Sequence, residues 1–195
     1  TSFVTFTVPK KVSKISDHTF SNCDLLEKVY VYDDASLNRI DAYAFDGSNA
    51  FRALHLLDEE GHVLSTCTDE YTVYLPKTLT SLSAATTASK GGYQFRKTLV
   101  EHVVINDKLG SIGEYAFAET PLESVTFGSN SLLRTIGQYA FTKCANLGPS
   151  VILPDTVESI GAYAFNGCTS LIEVHLPQSD NAKYKKNKKY LFNGC

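Results

Sequence analysis

One six-residue phrase occurs three times in this chain of 195 residues: "IGEYAF" at 112–117, "IGQYAF" at 136–141 and "IGAYAF" at 160–165. The copies stand 24 residues apart. Self-similarity at a fixed period of about 20 to 50 residues is typical of solenoids, propellers and repeat arrays. The phrase therefore predicts an element that packs against its own equivalents in neighbouring coils.

The Phe that ends the phrase marks further copies along the chain. It recurs with gaps of 25, 72, 24, 24 and 27 residues, at Phe20, Phe45, Phe117, Phe141, Phe165 and Phe192. In five copies an Ile lies five residues before it, at Ile15, Ile40, Ile112, Ile136 and Ile160. A unit of about 24 residues cannot bury its apolar side alone, so stacked units must share one continuous core.

A second pattern, apolar-x-x-apolar-x-apolar, follows each phrase. It reads "LEKVYV" at 26–31, "FRALHL" at 51–56, "VEHVVI" at 100–105, "LESVTF" at 122–127 and "LIEVHL" at 171–176. The copy "LGPSVIL" at 147–153 carries one inserted residue. The last two apolar positions of the pattern stand two residues apart, which is the period expected of a short strand. Each unit is therefore predicted to be a short strand, a turn, the phrase and a corner of small residues.

The stretch "LPDTVESIGAYAFNGCTSLIEVHLP" at 153–177 carries both patterns in register. It resembles the BspA-like leucine-rich repeats, and the resemblance extends over residues 1–56 and 98–195 but is weak across 57–97. It implies an α/β or mainly-β leucine-rich-repeat solenoid. Such a solenoid is right-handed, with a parallel sheet on its concave face and an irregular or short helical convex side. Some members of the family are adhesins, so the resemblance implies an extracellular or cell-surface location and a protein ligand such as a host matrix or plasma protein.

The domain organisation follows from the same register. We expect residues 1–195 to form a single solenoid of about 7–8 coils, with an irregular insertion near 57–97 and an incomplete last repeat. Within the insertion, "LDEEGHVLST" at 57–66 indicates a hairpin turn. The chain shows no signal peptide. It stops at "LFNGC", where the preceding unit has "AFNGC", so either a fragment of a longer protein or an unusual end of the solenoid is expected.

Composition and motifs argue against several functions. The net charge is −3, and no apolar run approaches the roughly 20 residues of a membrane span. Neither C-x-x-C nor G-x-S-x-G occurs, and no Gly-rich phosphate loop follows a strand. We therefore expect no enzymatic activity, no cofactor, no metal site, no nucleic-acid partner and no transmembrane segment.

Two sets of equivalent positions in successive repeats, here called columns, each allow two interpretations. The corner column, three residues after the marker Phe, holds Cys23, Cys144, Cys168 and Cys195 beside Ser48 and Thr120. A small buried corner residue is the favoured interpretation, although a bridge between Cys144 and Cys168 is geometrically conceivable. The other column, His18, Tyr43, Tyr115, Tyr139 and Tyr163, is interpreted as a ladder of stacked rings or, alternatively, as an aromatic stripe for a ligand.

Two sets of residues are candidates for binding. The first comprises outward residues on or beside the strands of the concave face: Tyr30, His55, His102, Val104, Thr126, Ile152 and His175. The second is a basic patch in "KYKKNKKY" at 183–190, formed by Lys183, Lys185, Lys186, Lys188 and Lys189. A non-enzymatic binding module is the preferred hypothesis, a structural spacer is the alternative, and the oligomeric state stays open.

Overall fold

The computed structural model describes residues 4–82, 92–177 and 188–195. Over these residues the chain is a parallel-sheet solenoid with almost no helix, which confirms the predicted fold class. Its main sheet has the strand order β1-β3-β5-β6-β8-β10. These strands are β1 Thr5–Val8, β3 Lys28–Tyr32, β5 Ala53–Leu57, β6 Thr72–Tyr74, β8 His102–Ile105 and β10 Ser124–Phe127.

The remaining elements are short. A separate parallel pair is formed by β12 Ser150–Ile152 and β14 Glu173–His175. A second sheet consists of two-residue strands: β2 Lys14–Ile15, β4 Arg39–Ile40, β7 Ser81–Leu82, β9 Ser111–Ile112, β11 Thr135–Ile136 and β13 Ser159–Ile160. The helix α1 spans Lys188–Leu191.

The strands of the main sheet alternate as their sequences predict. Val29 and Val31 of β3 are buried, whereas Tyr30 and Tyr32 are half-buried on the outer face. In register, Val29 pairs with Leu54, and Val73 pairs with Leu54 and Val103. Because side chains of a strand point alternately to opposite faces, equivalent apolar residues stack inside the solenoid from coil to coil.

A continuous stack of phenylalanine rings fills the core. Phe141 lies between Phe117 and Phe165, with ring centroids 5.6 and 5.3 Å apart. Phe45 stacks directly on Phe95 at 5.1 Å. Phe95 therefore continues the stack within the interval of 72 residues between the markers Phe45 and Phe117, and the sequence analysis did not identify it. Its phrase reads "GYQF" at 92–95, with Gln94 in place of the usual Ala.

The phrase has one recurring backbone conformation. The residue at its Tyr position has a positive φ in six coils, for example 56° at Tyr139 and 60° at Tyr163. This left-handed residue turns the chain so that the next Phe can bond to the neighbouring coil. The Phe117 N–H donates to the Ala140 carbonyl at 2.9 Å, and the Phe141 N–H donates to Ala164 at 2.8 Å. The repeated phrase is thus a packing element and a backbone ladder at once.

Residues 58–71 interrupt this regular path between β5 and β6. An antiparallel bridge joins Leu57 to Val63, as expected of the hairpin turn in the sequence. The Leu64 N–H donates to the Leu56 carbonyl at 2.9 Å, and the Leu56 N–H donates to Cys67 Sγ at 3.4 Å. The segment therefore folds back over the end of β5.

Candidate binding surface

The outer face of the main sheet carries one row of side chains in parallel register. Tyr30 pairs with His55, Tyr74 with Val104, and Val104 with Thr126. The His55 ring lies between two phenols, with centroids 6.0 Å from Tyr30 and 6.0 Å from Tyr74, both edge-on. Because backbone hydrogen bonds fix the register, this row is held rigidly across five neighbouring strands.

The expectation that His55 is exposed on this face is wrong. Its side chain is only 4% exposed because residues 58–71 cover β5. Its Nε2 lies 2.9 Å from the carbonyl oxygen of Asp69. Strand alternation alone predicts an exposed His55, because it carries no information about residues 58–71, which pack over β5.

A polar network surrounds the covered histidine. The Glu70 carboxylate pairs with Lys28, and this partner lowers the pKa of Glu70. His102 Nδ1 lies 2.8 Å from Ser124 Oγ, and His102 Nε2 lies 3.8 Å from a carboxylate oxygen of Asp69. The insertion thus adds acidic groups to a face on which the strands themselves place Lys28 and His102.

The other predicted residues of this face differ in accessibility. Val104 is half-buried, whereas Thr126 is exposed. Ile152 is 67% exposed and pairs in register with His175, whose Nε2 lies 3.2 Å from Glu173. These last two residues belong to the separate pair β12–β14, so the predicted column is not one continuous row.

Sequence analysis missed Tyr74, which lies in the middle of the row. It is half-buried and contacts both His55 and Val104 through the sheet. A signal was present, because "TVYLP" at 72–76 has the strand-then-Leu-Pro order of the other units. The surrounding insertion obscured it.

The predicted basic patch lies mostly outside the described residues. Lys183, Lys185 and Lys186 belong to the undescribed segment 178–187. Lys188 and Lys189 begin α1, and their side chains are likewise outside the description.

The tyrosine column forms a ladder of stacked rings. Tyr115 lies 4.6 Å from Tyr93 and 4.7 Å from Tyr139, with nearly parallel rings. Burial by these neighbours raises the pKa of Tyr93 and of Tyr115. Since each interior ring presents its faces to its neighbours, the ladder offers a partner ring edges and hydroxyl groups rather than open faces.

The corner cysteines serve the backbone of the preceding coil. Cys144 Sγ donates to the Phe117 carbonyl at 3.1 Å, and Cys168 Sγ donates to the Phe141 carbonyl at 3.2 Å. Ser48 bonds to the Phe20 carbonyl in the same way. Cys144 and Cys168 are thiols, not a disulfide, as the corner interpretation favoured. Burial raises the pKa of Cys144 to about 11 and raises the pKa of Cys168 further.

One group of metal-ligand residue types lies at the tip of the hairpin. Asp58, Glu60 and His62 place one donor atom each within 4.8 Å of one another. The His62 N–H donates to Asp58 Oδ1 at 2.8 Å and lowers the pKa of Asp58, so the hairpin turn itself explains why Asp58 and His62 lie close together.

Within residues 4–82, 92–177 and 188–195, the structure has no helix long and apolar enough to cross a bilayer.

The repeat geometry and the sequence agree with one family profile. The profile of the BspA type leucine rich repeat region matches in six copies, over residues 1–90 and 88–195. The chain belongs to this family. The resemblance found in the sequence is therefore confirmed, and the solenoid places this BspA type chain among leucine-rich-repeat proteins. Comparison with curated proteins gives no significant match.

Two solved structures of bacterial proteins align with this chain. The pneumococcal vaccine antigen PcpA aligns with a TM-score of 0.58 at 20% identity, over 92% of this chain and 41% of that protein. The chain thus spans less than half the length of PcpA, and the likeness shows the fold alone. The leucine rich repeat protein of T. pallidum aligns with a TM-score of 0.49 at 18% identity, over 98% of this chain and 86% of that protein.

Proposed function

We propose that this BspA type repeat chain is a non-enzymatic module that binds another protein at a cell surface, with adhesion to a host or neighbouring-cell protein as its role. The observation that carries the proposal is the row on the outer face, where Tyr30, Tyr74, Val104 and Thr126 project from strands in fixed register. Aromatic residues on a rigid frame lose little entropy when they bind, which favours them at protein interfaces.

The size of the row supports a protein rather than a small molecule as ligand. Five neighbouring strands at about 4.8 Å spacing make a row roughly 19 Å long. Its residues alternate between apolar and polar groups, as they do at transient protein interfaces. His175 and Ile152 continue the surface on the separate strand pair, whereas His55 supports it from beneath the insertion.

The vaccine-antigen description of PcpA also supports a location outside the cell. Antibodies raised against the chain are expected to label intact, unpermeabilised cells of the source organism. Labelling only after permeabilisation would overturn the surface location.

The binding role is tested by immobilising the chain and passing purified matrix and plasma proteins over it. We expect at least one to bind, and we expect the double substitution Tyr30→Ala with Tyr74→Ala to weaken that binding at least tenfold. Lys143→Ala, at an exposed corner away from the sheet, is the matched control and should bind as the native chain does. If no protein of the panel binds, or if both variants bind equally, the proposed surface is wrong.

A structural spacer is the second candidate, favoured by the unbroken phenylalanine and tyrosine stacks. These stacks make a rod whose rigidity does not depend on the outer face.

The basic patch remains a further candidate for binding. If it binds an acidic glycan, replacing its five Lys by Gln should abolish that binding, and added salt should weaken the binding because exposed charges are screened.

A further inference from the structure

A cleft of about 850 Å³ separates β10 from β12. Among the described strands, β10 pairs only with β8, and β12 pairs only with β14. The coils rejoin on both sides of the opening. The Gly148 N–H donates to the Glu123 carbonyl at 3.2 Å, and Thr156 Oγ1 donates to the Ser131 carbonyl at 3.1 Å. The main sheet is therefore split over a few residues and is otherwise continuous with its neighbour.

The sequence explains where the sheet splits. Ahead of β3, β5, β8, β10 and β14, one carbonyl accepts two N–H groups of the following coil; ahead of β10, for example, the Glu101 carbonyl accepts from Glu123 and from Ser124. The Glu123 carbonyl accepts only from Gly148 in the described backbone. The next residue is Pro149, which has no N–H to donate. The residue inserted between Leu147 and Val151 then carries β12 away from β10.

Backbone groups face the cleft from both sides. The Gly128 N–H donates to Ile105 on the β8 side, and the Leu153 N–H donates to His175 on the β14 side. Successive N–H groups of a strand point in opposite directions, so the N–H groups of Phe127 and Ile152 point into the cleft. Two strand edges that face each other are a template for an added extended chain.

The side chains around the cleft define what such a chain must carry. Val125 and Phe127 are half-buried, whereas their counterparts Val103 and Ile105 on β8 are fully buried. Leu132 is 56% exposed at the rim. Apolar groups at every second position of β10 call for apolar residues at every second position of the occupant.

The charges at the cleft are of one sign. Asp155 is the one ionisable residue among those that line it. Glu123, which directly precedes β10, is also exposed. An occupant with basic residues next to its apolar ones would complement this rim.

We propose that the split between β10 and β12 binds an extended basic peptide with apolar residues at alternate positions, which adds its backbone as a strand between the two edges. The cleft volume lies within the range of ordinary ligand sites. The inference deepens the proposed function and rests on it, because Thr126 and Ile152 belong to both the outer face and the cleft.

The probe is the synthetic peptide acetyl-Lys-Val-Thr-Val-Thr-Val-Lys-amide, titrated into the full chain by calorimetry. We expect saturable binding and slower hydrogen exchange at the amides of Phe127 and Ile152. The same peptide with N-methyl groups on its three Val residues lacks those donors and should bind at least tenfold more weakly. Absence of binding at millimolar peptide, or equal binding of the methylated peptide, would overturn the proposal.

Two protein variants locate the site. Leu132→Arg should weaken peptide binding at least tenfold, whereas Leu25→Arg, at a residue of nearly equal exposure (55%) on the first coil, should leave it unchanged. A closure variant deletes Gly148 and carries Pro149→Glu, which restores "LESVIL" in the pattern of "LESVTF" at 122–127. It should pair β12 with β10 and lose the peptide. If the closure variant does not fold, the pair of Leu variants still decides the location.

Failure of this inference is distinguishable from failure of the proposed function. Tyr30→Ala with Tyr74→Ala removes the row on the outer face without touching the cleft lining, so it should leave peptide binding intact. A chain that binds a partner protein through Tyr30 and Tyr74 but not the peptide would refute the cleft alone. Equal peptide binding by Leu132→Arg and the native chain would also refute it.

Discussion

At the scale of single residues, six coils contain two positions with left-handed backbone, and only some of these positions hold glycine. The second position lies four residues after the Tyr and is Gly47, Gly167 or Gly194 in three coils. In others it is a residue with a Cβ, such as Lys143 with φ 59° or Glu119 with φ 57°. The left-handed conformation costs an L-residue about 1–2 kcal/mol, so these copies hold strain that glycine would not.

We therefore expect Lys143→Gly to raise the free energy of unfolding by about 0.5–1 kcal/mol. The relief of strain exceeds the extra chain entropy that glycine gives the unfolded state. Lys143 is exposed, so little packing is lost. Urea unfolding measures the change. Lys108→Gly, at an exposed turn residue outside the positive-φ set, is the control and should lose a similar amount. A loss at both positions would show that the strain is absent.

The buried thiols predict a loss of stability at alkaline pH. The pKa of Cys144 rises from 9.0 to about 11 because burial penalises the thiolate. The folded chain therefore holds this proton more tightly than the unfolded chain does. The contribution is complete below pH 9 and is lost as pH rises to about 11, on the order of 3 kcal/mol.

Cys144→Ser tests this contribution, because Ser48 already fills the same corner with a hydroxyl. The unfolding midpoint should fall further between pH 8 and pH 11 in the native chain than in the variant, because the variant has no buried thiol at this corner to ionise. Equal losses in both proteins would mean that Cys144 does not carry the effect.

At the scale of elements, the phenylalanine stack and the tyrosine ladder differ in burial. Phe141 is fully buried between two rings, whereas Tyr139 is half-buried. Phe141→Ala should lower the free energy of unfolding by about 3–5 kcal/mol, the usual cost of an emptied aromatic core site. Tyr139→Ala should cost clearly less, because water already reaches part of its ring. Guanidinium unfolding of the two variants compares them, and equal losses would contradict this division into core and rim.

The elements divide into those that sequence predicts and those that it cannot. The strands around Val29, Val103 and Val125 follow from period-two patterning, and the core rings follow from the phrase. The second sheet was not predicted, because two-residue strands such as Ser111–Ile112 are too short to show a period. The burial of His55 depends on a tertiary contact with Asp69, and Tyr74 was hidden by irregular spacing.

At the scale of the whole molecule, the split in the main sheet raises the question of whether the solenoid unfolds as one unit. Several connections run across it: the second sheet continues through β9, β11 and β13, Phe117 still stacks on Phe141, and hydrogen bonds join the coils on both sides of the opening. In a solenoid, stability is approximately the sum of the coils and their nearest-neighbour interfaces. The interface at the split lacks the strand bonds but keeps its aromatic and second-sheet contacts.

We therefore expect a single cooperative transition in urea, with coincident curves from far-ultraviolet circular dichroism and tyrosine fluorescence. The contacts that remain across the split should prevent one half from unfolding before the other. Phe141→Ala weakens this interface further and should separate the transition into two steps, since Phe141 bridges the coils on either side of the opening. Phe95→Ala is the matched control, because it removes an equally buried ring where strands β5, β6 and β8 remain paired. It should lower the midpoint without dividing the curve. Two steps in the native chain would show that the split already divides the solenoid into independent units.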